Sequence, residues 1–399
     1  TWIGIGNAIL GSLLAWWVLG PRTREMTHRL GASTMPEFFG ARFQSKGLRI
    51  AAAAIIFVFL IPYTASVYNG LSRLFGMAFG LPYEVCVIGM AVITCVYVVL
   101  GGYMATVMND FIQGIVMLLG IVAVIVAVLV NNGASPSPHH AVAYSRRGSE
   151  MAGRSSASSG RTARSHRRHR ADQPGHVGSA PDGAEVLRHQ KRSRHQAGAI
   201  ISTVFAMVVA GGSYFLGGFG RLYGDQVEMT AAGTPVYDSI MPTMLSTLPD
   251  LLIGIVIVLV LSASMSTLSS LVLTSSSTLT LDLLKDNVVK NMSEKKQLGY
   301  MRVLIVVFIV ISAVIALVQY NSSITFIAQL MSISWGALAG SFLGPFFWGL
   351  YSRRVSRPAV WASFIVGVGL TTGNMIAGSW ARHSSRRPST AAPSRWCCR

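Results

Sequence analysis

Runs of about 20 apolar residues recur along this chain, and each is long enough to cross a bilayer. Nine can be counted, at roughly 2–20, 50–77, 82–101, 111–130, 197–217, 251–274, 303–319, 324–350 and 358–377. Backbone polar groups in lipid must pair within their own segment, so runs of this kind are helices. Composition agrees, with 51% hydrophobic and only 12% charged residues at a mean hydropathy of +0.50. A soluble domain carries about 25% charged residues. The fold class expected is an all-α polytopic membrane protein.

The net charge of +18 invites a nucleic-acid reading, but its placement argues against one. Residues 134–197 hold twelve Arg and Lys against four Asp and Glu, and seven of the nine His. The tail 380–399 adds five Arg and no acid. These two stretches take +8 and +5 of the total, leaving +5 on the rest, which is ordinary for a membrane protein. No nucleic-acid partner is expected. Cys86 and Cys95 read as small packing residues within one span, and the adjacent Cys397 and Cys398 offer too few ligands for a metal. No phosphate-binding glycine loop or nucleophile elbow stands on the chain, so an enzyme is not expected.

Lys and Arg collect in cytoplasmic loops. The segment 21–46 carries Arg22, Arg24, Arg29, Arg42 and Lys46, and 281–302 carries Lys285, Lys290, Lys295, Lys296 and Arg302, so both are placed inside. Counting spans forward puts Gly133 outside. Counting back from 281 puts the start of the 197–217 span inside. One crossing is therefore required between 134 and 197, where no apolar run exists. We read 134–196 as a disordered basic segment translated out of frame, with a genuine basic cytoplasmic or headgroup-binding loop as the rival, and 380–399 as an out-of-frame tail. Read from the second base, the degenerate codons of "ADQPGHVGSAPD" admit LTSLGTWGLPQM, an apolar, membrane-like string. The chain opens at Thr1 inside an apolar run, which reads as a start truncated upstream.

The chemistry concentrates in "IVIVLVLSASMSTLSSLVLTSSSTLTLDLLK", apolar first and then dense in hydroxyls. Ala263, Ser266 and Thr267 are spaced i, i+3, i+4 and share one helix face. Two hydroxyls beside an accessible carbonyl suit a monovalent cation, and neutral oxygens avoid burying a fixed charge. The same residues also suit back-bonding to carbonyls one turn earlier, or close helix packing. Asp110 opens the 111–130 run, as a cation-path carboxylate or a helix cap. Tyr63 follows Pro62 within a span. The small residues of "SISWGALAGSFLGPFFWG" suit either a flexible gating helix or close packing.

"SASMSTLSS" followed by "SSSTLTLDLLK" resembles the signature of the sodium:solute symporter family, which includes the sodium/proline permeases. "TMPEFFGARF" resembles that family's first cytoplasmic loop, and "YVVLGGYMATVMNDFIQGIVM" resembles its G-G-x-x-A-x-x-x-x-D-x-x-Q segment. The resemblance implies an inverted-repeat core of five plus five helices, with solute and sodium bound at the midplane between broken helices. It assigns 1–133 to core helices 2–5 and 197–379 to core helices 7–10 plus one more, leaving core helices 1 and 6 missing. It implies that the Ala263 carbonyl and the Ser266 and Thr267 hydroxyls bind sodium. It places Asp110 near the intracellular sodium exit and Tyr63 near the substrate cavity. The function implied is sodium-coupled import of a small organic solute, an amino acid such as proline or similar, across the plasma membrane by alternating access. Sodium is the coupling ion and no organic cofactor is expected. The alternatives are an inactive damaged copy and a non-transporting membrane sensor on the same helices. Oligomeric state is not set by the sequence.

Overall fold

A computed structural model describes residues 6, 11–12, 15–131, 183–226, 236–285, 292–321, 327–352 and 354–385. A π-helical turn, Ala15–Leu19, runs into α1 (Gly20–Leu30). The remaining helices are α2 (Met35–Arg42), α3 (Lys46–Phe79), α4 (Tyr83–Asn131), α5 (Gly183–Phe219), α6 (Ile240–Leu245), α7 (Asp250–Thr278), α8 (Glu294–Asn321), α9 (Ile327–Tyr351) and α10 (Arg357–Ser385). Eight segments among the described residues are long and apolar enough to cross a membrane, α4 supplying two of them. The described residues contain no strand. The first apolar run, 2–20, lies mostly outside the described residues.

The basic segment 21–46, read as a loop, holds two helices. Pro21 and Pro36 sit in the first turns of α1 and α2, where a missing N–H costs nothing. Thr34 and Glu37 close a capping box on α2. The segment thus satisfies much of its backbone within its own two helices.

Helix α3 is the centre of the bundle and packs against α2, α4, α7, α8 and α9. Ser45 caps its start, and Gly80, in the left-handed region at φ 64°, ends it. Helix α4 bends at Gly102, whose φ of 62° and ψ of −172° are open to glycine alone. This bend separates the 83–102 span from the 106–130 span. Helix α9 crosses α10 with backbones nearly touching. A Cβ on Gly367 would lie 2.4 Å from the Ser341 nitrogen. The small residues of α9 are therefore used for close packing. Below that crossing Phe39 meets Phe342 and Phe364, and Phe38 meets Phe346, with ring centroids 5.0–5.5 Å apart.

Two helix boundaries fall inside the stretches read as out of frame. Helix α5 begins at Gly183, within the stretch 134–196 expected to be disordered. Beyond Pro181, "AEVLRHQKRSRHQAGA" is built largely of good helix formers and contains no proline. Helix α10 runs to Ser385, into the predicted 380–399 tail, because no proline intervenes before Pro388. Residues 132–182 and 386–399 lie outside the described residues.

Helix directions follow from side-chain contacts. Gly120 of α4 abuts Leu259 of α7, and Asp110 lies beside Ser269, so the second half of α4 and α7 are antiparallel. Gly114 faces Phe205 of α5 and Gly212 faces Ile121, so this half of α4 and α5 run parallel.

Candidate functional site

Helix α7 carries the hydroxyl-rich face. Its outer half is a run of Ile, Val and Leu that buries Val256 and Leu259 against α4 and its neighbours. From Ser262 onward hydroxyls alternate with Met265, Leu268, Leu271, Val272 and Leu273, and Ser269, Ser275 and Ser276 are fully buried. Ala263, Ser266 and Thr267 lie on this helix as the spacing predicts, and all three are half-buried.

The hydroxyls are partly committed to the helix itself. Thr267 Oγ1 donates to the Ala263 carbonyl at 2.8 Å. Ser269 Oγ donates to the Ser266 carbonyl at 2.9 Å, and Ser270 Oγ to the same carbonyl at 2.8 Å. The back-bonding expectation thus holds for Thr267. It does not disqualify that oxygen as a ligand, because the bond uses the hydroxyl proton and a cation uses lone pairs. The Ala263 carbonyl likewise keeps a second lone pair. The half-buried Ser266 makes no side-chain hydrogen bond among the described residues.

Asp110 lies inside α4, beyond the Gly102 bend. Its carboxylate oxygen is 3.5 Å from the Ser269 hydroxyl. Ser269 Oγ thus lies between the Asp110 carboxylate on α4 and the Ser266 carbonyl on α7, with one proton that serves one or the other. Ser269 was not singled out from the sequence. It sits i+3 from Ser266, but its meeting with Asp110 depends on how α4 and α7 cross.

Tyr63 belongs to a different seam. Its ring is 5.7 Å from Trp335 on α9, and its carbonyl accepts from Ser66 Oγ at 2.6 Å. The adjacent Pro62 supplies no N–H to the helix ladder. Ser334 Oγ, next to Trp335, is buried without a hydrogen-bond partner among the described residues. Tyr63 and the α7 hydroxyls thus face two walls, α3–α9 and α7–α4.

A third polar group sits where α7 ends beside α2 and the start of α3. Asp282, in the π-helical turn Leu279–Leu284 that continues α7, is 0% exposed. It accepts from Arg49 Nε at 2.7 Å and from Thr34 Oγ1 at 2.8 Å. Arg49 also reaches Glu37 at 3.2 Å and the Leu281 carbonyl at 3.2 Å. At the other end of α2, Arg42 donates to the carbonyls of Gly349 and Ser352 at the end of α9. Helix α2 therefore clasps α7 to α9. No cluster of His, Cys, Asp and Glu suited to a transition metal occurs among the described residues.

The described residues thus form an all-α bundle of membrane-length helices with a hydroxyl-rich face on α7. The solved structure of a Na+-coupled sialic acid symporter, in its substrate-bound outward-open state, shares this fold at a TM-score of 0.62. That similarity covers 96% of this chain and 83% of the other, at 16% sequence identity. The chain belongs to the sodium:solute symporter family, whose profile matches residues 1–367. It is 26% identical over 416 residues to the osmoregulated proline transporter OpuE of Bacillus subtilis (strain 168), covering 98% of this chain and 82% of that protein. It is 39% identical over 133 residues to a sodium/proline symporter of Staphylococcus aureus, a match spanning 33% of this chain and 26% of that one.

Proposed function

We propose that this chain is built to couple entry of sodium to uptake of a small zwitterionic solute, an amino acid of the proline type, across the plasma membrane. The observation that carries the reading is the half-buried face of Ala263, Ser266 and Thr267, joined through Ser269 to Asp110. Neutral oxygens on one face take a dehydrated sodium ion without a buried fixed charge. Asp110 offers the ion its first charged partner as it leaves toward the cytoplasm. Sodium bound here favours the state open to the outside, and its downhill release drives solute inward by alternating access. Tyr63 and Trp335 offer an aromatic wall for the apolar part of the solute. The relatives named as proline transporters support the solute class.

A second reading keeps solute binding without transport. It is favoured by the basic stretch 134–182, which stands where a crossing is required. Labelled proline and the full chain in sealed vesicles separate the two. Proline accumulating only under an inward sodium gradient supports the symporter. Sodium-dependent binding without accumulation supports the second reading. Neither accumulation nor sodium-dependent binding sinks both for proline.

A further inference from the structure

Helix α2 is short, Met35–Arg42, about 12 Å of helix. Polar bonds fix it at both ends. Its capping residue, Thr34, donates to Asp282 beyond α7 at 2.8 Å. Its Glu37 meets Arg49, which donates to the same carboxylate at 2.7 Å. At the other end Arg42 donates from Nε to the Gly349 carbonyl at 2.9 Å and from Nη2 to the Ser352 carbonyl at 2.7 Å. Arg357, at the start of α10, donates to the Phe43 carbonyl at 2.8 Å. Close packing reinforces both ends. A Cβ on Gly40 would lie 3.0 Å from the Arg49 Cβ, and one on Gly349 would lie 3.3 Å from the Phe43 ring.

The helices joined in this way have almost no direct contact with each other, although both pack on α3. One carries the hydroxyl face and the other carries Trp335. Thr267 lies 15 residues before Asp282, and Trp335 lies 14 residues before Gly349, so α2 stands about 21–23 Å from each wall. Both stretches are helical throughout. Pro345 interrupts the ladder of α9, and the Ser341 carbonyl that it frees accepts from Ser363 of α10 at 3.0 Å. Packed apolar faces shear past one another, whereas directed hydrogen bonds hold in one register only. A shift at the end of α7 is therefore passed to the end of α9.

We propose that α2 is the coupling element between the sodium wall and the solute wall, an inference that rests on the cation face proposed above. Sodium seated at Ala263, Ser266 and Thr267 steadies α7, and α2 carries that effect to α9 and Trp335. Arg42, Arg49 and Asp282 are positioning residues that touch neither ion nor solute. The rival route is α3.

Hydrogen–deuterium exchange of the full chain in detergent, in sodium chloride against choline chloride, tests the coupling. Sodium slows exchange on the peptides around Thr267. It also slows exchange about fivefold or more over 346–352, the low end of couplings between distant sites. Arg42→Gln keeps the first effect and abolishes the second. An α9 end that ignores sodium while α7 responds overturns the proposal. A response there that survives Arg42→Gln also overturns it, in favour of α3. Sodium without effect on α7 removes the cation face instead, and the link is then read without ligand. Thr34→Val, which cuts one bond to Asp282, speeds exchange over 346–352 where α2 ties the two ends together. An unchanged rate overturns the link itself. The sodium response of the parent chain and the Thr34→Val rate stand even where Arg42→Gln fails to fold.

Discussion

Asp282 and Thr267 show two ways a polar residue is used in an apolar helix. Asp282 is buried and held by Arg49 and Thr34, which come from elements far away in sequence. Removing one partner of a buried pair leaves the other charge uncompensated, at about 3–5 kcal/mol. Arg49 keeps Glu37 and the Leu281 carbonyl, so Asp282→Ala falls at the low end of that range. We expect Asp282→Ala and Arg49→Met each to lower the thermal unfolding midpoint in detergent, and the double variant to fall by clearly less than their sum. Additive losses would show that the two side chains do not act as a unit. Thr267 poses the opposite case. Its hydroxyl bond is intrahelical, so Thr267→Val costs the helix little while removing one oxygen from the proposed cation face. The sodium concentration that half-saturates solute binding then rises about tenfold, the loss of roughly 1.4 kcal/mol. Thr267→Ser stays near the parent value. Equal effects of Val and Ser would remove Thr267 from the cation face. The i, i+3, i+4 face was readable from spacing alone. The Arg49–Asp282 pair was not, because 233 residues separate its members.

Helices were legible wherever an apolar run was long, and their joints were not. The 82–101 and 111–130 runs were separable by the polar residues between them, and the structure joins them through one bent helix. Gly102 makes that bend, and its φ and ψ suit no other residue. A side chain there costs about 1–3 kcal/mol in backbone strain. Gly367 is constrained by space instead, since any Cβ strikes the α9 backbone. Gly102→Ala and Gly367→Ala should both lower the unfolding midpoint in detergent. Gly299→Ala is the control, because nothing lies within 4 Å of its Cβ position and alanine favours a helix. A Gly102→Ala protein as stable as the Gly299→Ala protein would mean that the bend is not a fixed feature of α4. The small-residue pattern of α9 could not tell close packing from a hinge. Gly340, Ser341 and Gly367 decide for packing because they bring two backbones into contact.

At the level of the whole chain, helix direction turns charge counting into a geometric requirement. Gly114 meets Phe205 and Gly212 meets Ile121 and Ile125, a constant register that makes the second half of α4 and α5 parallel. Consecutive spans joined by a loop on one side of a membrane run antiparallel. Parallel neighbours need a further crossing between them, and the chain from 132 to 199 must supply it. No run of about 20 apolar residues occurs there, and arginine in mid-bilayer costs about 2.5–3.5 kcal/mol each on insertion scales. A stretch with twelve basic residues cannot make that crossing as a lipid-facing helix. We propose that the coding frame is shifted over most of this stretch and restored within the first part of α5, before Ala197. Sequencing the coding DNA from independent template across residues 125–200 tests it. We expect one base gained or lost near residue 134, a compensating change before Ala197, and a restored frame reading as an apolar helix rich in Gly and Trp. The corrected chain should then place Ser246 and Ser293 on opposite sides of the membrane, as cysteine substitutions labelled by an impermeant maleimide would report. It should also accumulate solute under a sodium gradient at least as well as the printed sequence does. If the DNA confirms the printed frame, the two parallel spans must be joined by a crossing without lipid contact. That arrangement would favour the solute-binding protein over the symporter.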